Sequence, residues 1–146
     1  MSKKFFIRWM VPRDMDWVAM TEWMCFDDPI SCQDFVDMLR KRNHVGLVAL
    51  IDGELAGYIL YEIFSDRYEI ITFAVHEDFR RQGVGTKIME KMKVKVSPQK
   101  RRKLIFEVRD SNLRGQLFLK KIGFKATGVT GDYYPMVYEK KFQETG

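Results

Sequence analysis

The chain has 146 residues, of which 46% are hydrophobic and 31% charged, with a formal net charge of +5. That is enough apolar material for one core in a single domain spanning residues 1–146, and the positive balance permits an anionic ligand without saying which. Cys25 and Cys32 form no CxxC pair or ladder, which argues against a disulfide framework or a zinc ribbon and points to a reducing, cytoplasmic setting; no apolar run is long enough for a leader or membrane span.

Lys4 to Val11 is an apolar, β-compatible run stopped by Pro12, and Pro12 with Asp14 marks the start of a helix running to about Phe26. Trp17, Met20, Trp23 and Met24 recur along it at helical spacing and are expected to face the core. Asp27-Asp28-Pro29 breaks that helix. Ser31 then caps a second, shorter one, with Asp34 completing an imperfect capping box and Phe35, Met38 and Leu39 on one face. From Val45 the pattern turns to strands. Asp52-Gly53 between two apolar runs predicts a tight hairpin, and Tyr68 to Val75 predicts the next strand.

After that strand comes Phe79-Arg-Arg-Gln-Gly-Val-Gly-Thr86, and then Val84, Ile88, Met92 and Val96 at helical spacing. Strand, glycine turn and helix in this order read as an anion cradle: Gly83 and Gly85 allow positive φ and close backbone approach. Successive N–H groups then converge on a phosphate at the helix's positive end. A turn that merely connects strand to helix is the plainer alternative. Two phosphate motifs fail on spacing. A dinucleotide GxGxxG beginning at Gly83 would need glycine at Ile88, and a Walker loop ending at Gly85 would need glycine at Arg80 and Lys-Ser/Thr where Thr86-Lys87 stands. The basic run Lys93 to Lys103 reads either as a helix end complementing its dipole followed by a Pro-broken loop, or as a patch for RNA. No RNA-binding signature accompanies it, so nucleic acid is not expected as a direct ligand. Leu104 to Val108 is a further strand. Asn112 to Ile122 is a helix with Leu113, Leu117, Phe118 and Ile122 inward and Gly123 at its end, and Met136 to Phe142 is a last strand before the short polar tail Gln143 to Gly146.

The spacing Arg80-x-x-Gly83-x-Gly85 resembles the acetyl-CoA loop of the GNAT superfamily of N-acetyltransferases. Thr72-Phe-Ala-Val-His-Glu77 is similar to the family's V-x-P strand end, with Val75 in place and Glu77 where proline is common. Leu104 to Asn112, Gly123-Phe124 and Asp132-Tyr-Tyr-Pro135 resemble the RimI branch, the ribosomal-protein alanine acetyltransferases. The resemblance spans Phe73 to Pro135. It implies an α+β fold with a mixed, mostly antiparallel sheet of about six to seven strands flanked by about four helices.

The resemblance also implies acetyl transfer from acetyl-CoA to a primary amine, by direct attack in a ternary complex. The expected acceptor is a protein N-terminal α-amine, such as that of a ribosomal protein. A small-molecule amine is the alternative acceptor, and a non-catalytic acyl-CoA-binding or RNA-associated module is the alternative class. The expected state is a monomer or homodimer. For the cofactor, the resemblance assigns the pyrophosphate to Arg80, Arg81, Gln82, Gly83, Val84, Gly85 and Thr86 and the pantetheine arm to the backbone of Phe73, Ala74 and Val75. Asn112 is either the family's pantetheine-binding asparagine or a helix N-cap, with Ser111 or Asp110 capping in its place if it binds cofactor.

Glu107 matches the RimI-like glutamate and is the candidate base. In an apolar strand facing a closed site its pKa would rise toward the working range; the alternative is a solvated residue or a partner of Arg109. The position that carries the family's tyrosine acid is Leu119, which has no proton to give. Tyr133, Tyr134 or water would replace it, and a thiol of pKa about 8.5 leaves without much acid assistance. His44 and His76 lie in no ligand spacing, so no metal is expected.

Overall fold

The computed structural model describes residues 3–140. Strands β1 (Phe5–Trp9), β2 (His44–Ile51), β3 (Glu54–Ile63), β4 (Arg67–Val75), β5 (Lys103–Arg109), β6 (Lys125–Ala126) and β7 (Tyr133–Glu139) form one sheet in the order β1-β2-β3-β4-β5-β7-β6. Every neighbouring pair is antiparallel except β4 and β5. Helices α1 (Met15–Cys25) and α2 (Cys32–Leu39) cover one face, and α3 (Val84–Lys95) and α4 (Leu113–Lys121) the other. No helix of the described residues is long and apolar enough to cross a membrane. The tail from Gln143 lies outside the described residues. So do the last two residues of the expected final strand, which begins earlier than expected, at Tyr133, and takes Pro135 into its span.

Several local expectations hold. Asp52 and Gly53 adopt φ of 49° and 84° in the β2–β3 turn, the left-handed pair that a two-residue hairpin needs. The Ser31 hydroxyl accepts the Asp34 N–H at 3.1 Å and starts α2. Lys93 and Lys95 close the last turn of α3. Their place there and the loop that follows, closed by the Ser97 N–H on the Arg101 carbonyl, match the helix-end reading of the basic run, while the Lys93 ammonium donates to the Ile122 carbonyl at the end of α4.

The inward faces of two helices differ from expectation. In α1, Met20, Trp23 and Met24 are exposed and Trp17 is half-buried, while Met15, Val18, Thr21 and Glu22 face the sheet. Two polar residues are tolerated there because each is hydrogen-bonded: the Thr21 hydroxyl donates to the Trp17 carbonyl at 2.8 Å, and Glu22 accepts three bonds described below. In α4, Leu113 and Leu117 are exposed and Leu119 is fully buried in their place. Helical spacing marks an apolar stripe, but which stripe meets the sheet is settled by packing.

One irregularity shapes the centre. β4 pairs with β5 only from Arg67↔Lys103 to Ile70↔Phe106, although both strands continue. At that point the register of β4 on β3 steps from Tyr61↔Ile70 to Leu60↔Thr72, leaving Ile71 as the extra residue of a bulge. An extra residue exchanges the two faces of a strand. Before it, Tyr68 and Ile70 join the core under α3 and α4; beyond it, Phe73 and Val75 do so, and Thr72 and Ala74 turn toward α1. The bulge therefore opens the sheet into a wedge and fixes which side chains look into it.

Candidate active site

The first half of the site is the turn that leaves β4. His76 caps a single 3-10 turn by accepting the Asp78 N–H at 3.1 Å, and Arg81 and Gly83 then take left-handed φ of 64° and 80° so that α3 begins at Val84. Among the described residues, the backbone N–H groups of Gln82 to Thr86 donate to no acceptor of the chain. They are free donors gathered at a helix's positive end, an arrangement that can bind a diphosphate. Gly85 does not use positive φ; its role is space. A Cβ there would lie 3.2 Å from ring carbons of both Phe73 and Phe118, which stack with centroids 5.8 Å apart.

The two arginines separate. Arg81 is exposed, whereas Arg80 is drawn back under the loop, its Nε 3.4 Å from the Val75 carbonyl and its guanidinium 3.6 Å from Cys25 Sγ. Of the pair that the sequence sends to the pyrophosphate, only Arg81 is left at the surface of the loop. Burial, the largest influence, pushes the Cys25 thiol up and outweighs the opposing effect of Arg80.

The second half is the wedge itself, a cavity of about 330 Å³ lined by Glu22, Thr72, Glu107, Arg109, Asn112 and Tyr133 together with the segment joining α1 to α2. The bulge at Ile71 leaves the edge of β4 from Ile71 to Val75 without a strand partner on this side, a row of backbone groups able to pair with an extended amide chain. At the far wall Asn112 caps α4, its Oδ1 accepting the Gly115 N–H at 2.9 Å, so Ser111 and Asp110 do not take that role. Its Nδ2 makes no bond within the described residues and remains available.

Glu107 lies on the face of β5 opposite the buried Leu104 and Val108, so its carboxylate looks into the wedge from the same side as Thr72. It is exposed rather than enclosed and has no hydrogen-bond or ion-pair partner among the described residues. The sheltered strand site expected from Leu-Ile-Phe-Glu-Val is thus an open one. Arg109 does not pair with Glu107. It lies 5.4 Å from the Tyr133 ring, and its pKa is raised by Tyr133 first and then by Asp27 and Asp28.

The two tyrosines part company as well. Tyr133 stands opposite Arg109 and lines the cavity, while Tyr134, opposite Val108, packs into the core beneath α3 and α4 that also holds Leu119. Glu22 was missed altogether. It is 2% exposed, yet lines the cavity and accepts from the Tyr58 hydroxyl at 2.7 Å, the Thr72 hydroxyl at 2.5 Å and the Ile30 N–H at 3.2 Å. Burial, with the Glu22 charge second, pushes the Tyr58 phenol far above its ordinary value, so it stays a donor. The available signal was a carboxylate one turn from Val18, on the stripe that also carries Met15 and Cys25.

An open strand edge leads through a glycine turn into a helix N-terminus, with a carboxylate-lined wedge beside it, an arrangement with room for an extended, phosphate-bearing ligand next to a second compartment. Residues 11–124 match the Acetyltransferase (GNAT) family, and the chain belongs to it. It is therefore an acetyl-CoA-dependent N-acetyltransferase. An N-alpha-acetyltransferase of Sulfurisphaera tokodaii is 29% identical, over 91% of this chain and 87% of that protein. A Bacillus subtilis protein provisionally named a ribosomal protein bS18-alanine N-acetyltransferase is 30% identical, over 92% and 89%. The solved structure of Ard1 from Thermoplasma volcanium superposes with a TM-score of 0.81 at 26% identity, covering 92% of this chain and 97% of that one.

Proposed function

We propose that the enzyme acetylates the α-amino group of a protein N-terminus, in the cytoplasm, by direct attack within a ternary complex. The observation that carries this reading is the wedge. An unpartnered strand edge leads in the chain to the free N–H groups of Gln82 to Thr86, and Glu107 lines the same wedge as the α1–α2 segment. Relatives named for N-terminal acetylation support the acceptor, and the free thiols Cys25 and Cys32 support the compartment.

Acetyl-CoA supplies an activated acyl group on a good leaving group. The chain's residues do the rest. The N–H groups of Gln82, Gly83, Val84, Gly85 and Thr86, with Arg81 beside them, hold the pyrophosphate, while Arg80 braces the loop from behind. The backbone of Phe73, Ala74 and Val75 holds the pantetheine arm, and one N–H of this edge polarises the thioester oxygen. The Asn112 Nδ2 adds a donor at the opposite wall. Glu107 takes the proton of the amine through water, a task eased because an α-amine has a pKa near about 8 against about 10.4 for lysine. Tyr133 returns a proton to the thiolate, a role supported by its lining the cavity, whereas Tyr134 packs against the core beneath α3 and α4.

Incubation of the protein with acetyl-CoA and a panel of peptides tests this. Mass spectrometry is expected to find one acetyl group on free N-termini and none on peptides with blocked N-termini and free lysines. Acetylation of lysine alone, or of small amines alone, would overturn the assignment.

A further inference from the structure

Glu22 is a buried carboxylate with unfinished business. Its three partners are two hydroxyls and a backbone N–H, all neutral, and among the described residues no Lys, Arg or His nitrogen pairs with it. The cations nearby are engaged elsewhere: Arg80 against Cys25 and the Val75 carbonyl, and Arg109 against Tyr133. A carboxylate offers about four acceptor positions. Two are taken on Oε1 by Tyr58 and Thr72 and one on Oε2 by Ile30, which leaves one on Oε2 together with the group's charge. Holding a charge out of water is costly, and the usual remedy is a counter-ion. Here none is built in, yet the residue forms part of the wall of the acceptor cavity.

We propose that Glu22 is the binding-site carboxylate for the acceptor, receiving the incoming amine as its ammonium ion and holding it beside Thr72 before Glu107 draws off the proton. This rests on the amine-acetylation reading above and sharpens it: the acceptors are amines that arrive charged. Two features of the surroundings agree. Asp27 and Asp28 stand at the mouth of the same cavity, so an approaching cation meets negative charge before it reaches Glu22. The bond from Ile30 N–H also ties the α1–α2 segment to the same carboxylate, so the wall that the acceptor passes is anchored to the group that binds it.

The test compares wild-type enzyme with Glu22→Gln, which keeps the shape and one acceptor oxygen for the Tyr58 and Thr72 hydroxyls but removes the charge and the acceptor of the Ile30 N–H. Two acceptors are used: an N-terminal peptide amine, charged at neutral pH, and an O-alkyl hydroxylamine, which is not. Loss of one charge-assisted contact is expected to raise the KM of the peptide about 10- to 100-fold. The hydroxylamine KM and the CoA affinity measured by calorimetry should stay near wild-type. An unchanged peptide KM would overturn the proposal, as would an equal loss for both acceptors, which marks a purely structural role. If Glu22→Gln does not fold, Glu22→Asp decides: it keeps the charge but withdraws it from the cavity, so the peptide KM must rise selectively, and an unchanged value refutes. Wild-type enzyme that acetylates no N-terminal peptide would refute the proposed acceptor instead, a result distinct from either.

Discussion

Replacing Gly83 by alanine isolates the backbone contribution of the glycine loop. Gly83 has φ 80° and ψ 10°, and a Cβ placed on it meets nothing within 4 Å, so the substitution adds no clash beyond the residue's own conformational penalty. For an L-residue with a Cβ the left-handed region costs about 1–2 kcal/mol. That cost can appear in two places. If the loop keeps its shape without ligand, folding stability drops by the full amount and CoA binding is unchanged. If it relaxes, stability is spared and binding must restore the conformation, weakening the CoA dissociation constant about 5- to 30-fold. The two losses therefore sum to about 1–2 kcal/mol however they divide. Denaturant unfolding of the free protein gives one and calorimetric titration with CoA the other. Asparagine, which tolerates this region better, should show a smaller sum. No loss in either measurement, or a drop in affinity beyond about 100-fold, would show that Gly83 does not form the cradle in the way argued.

Glu107→Gln should lower kcat about 10²- to 10⁴-fold with CoA affinity unchanged, measured by release of free CoA; an undiminished kcat removes Glu107 as the base. Gly85→Ala gains up to about 1 kcal/mol of helix propensity but sets a Cβ 3.2 Å from Phe73 and Phe118, so stability should barely move while CoA affinity falls as the stacked rings shift under the loop. Titration with CoA checks this, and unchanged affinity would show that the close approach has no bearing on the cofactor. Asp14 binds Arg8 through two contacts of 2.7 and 2.9 Å and accepts the Val11 N–H at 2.8 Å. Asp14→Ala should cost about 2–4 kcal/mol in chemical denaturation, less than a wholly buried pair because Arg8 keeps 24% exposure. Burial pushes the Asp14 carboxyl up, but the Arg8 and Val11 bonds and the charges of Arg8 and Arg13 outweigh it, so the folded pKa lies below the unfolded value of about 3.9. Its stabilisation is therefore complete above that value and disappears as pH falls through the folded pKa; an Asp14→Ala variant that lost as much further stability as wild-type across that window would refute the assignment.

What the sequence determined by itself was local in origin. The Asp52-Gly53 hairpin and the Gly83 turn depend on φ values that few residue types accept, and the Ser31 cap on a hydroxyl three residues from the N–H it accepts. The glycine spacing, read with the flanking strand and helix, was enough to reach the family and its cofactor. The wedge was decided by contacts between distant segments. Whether Met20 or Glu22 faces the sheet depends on what the sheet offers across the gap, and the Thr72 bond to Glu22 joins residues 50 positions apart. The bulge at Ile71 leaves no mark in an apolar run that reads as an ordinary strand, yet β4 parts from β5 there and Thr72 turns toward α1. The glycine loop is written in backbone constraints that a short stretch of chain imposes on itself, whereas the wedge cavity exists only where four separate segments close on one another.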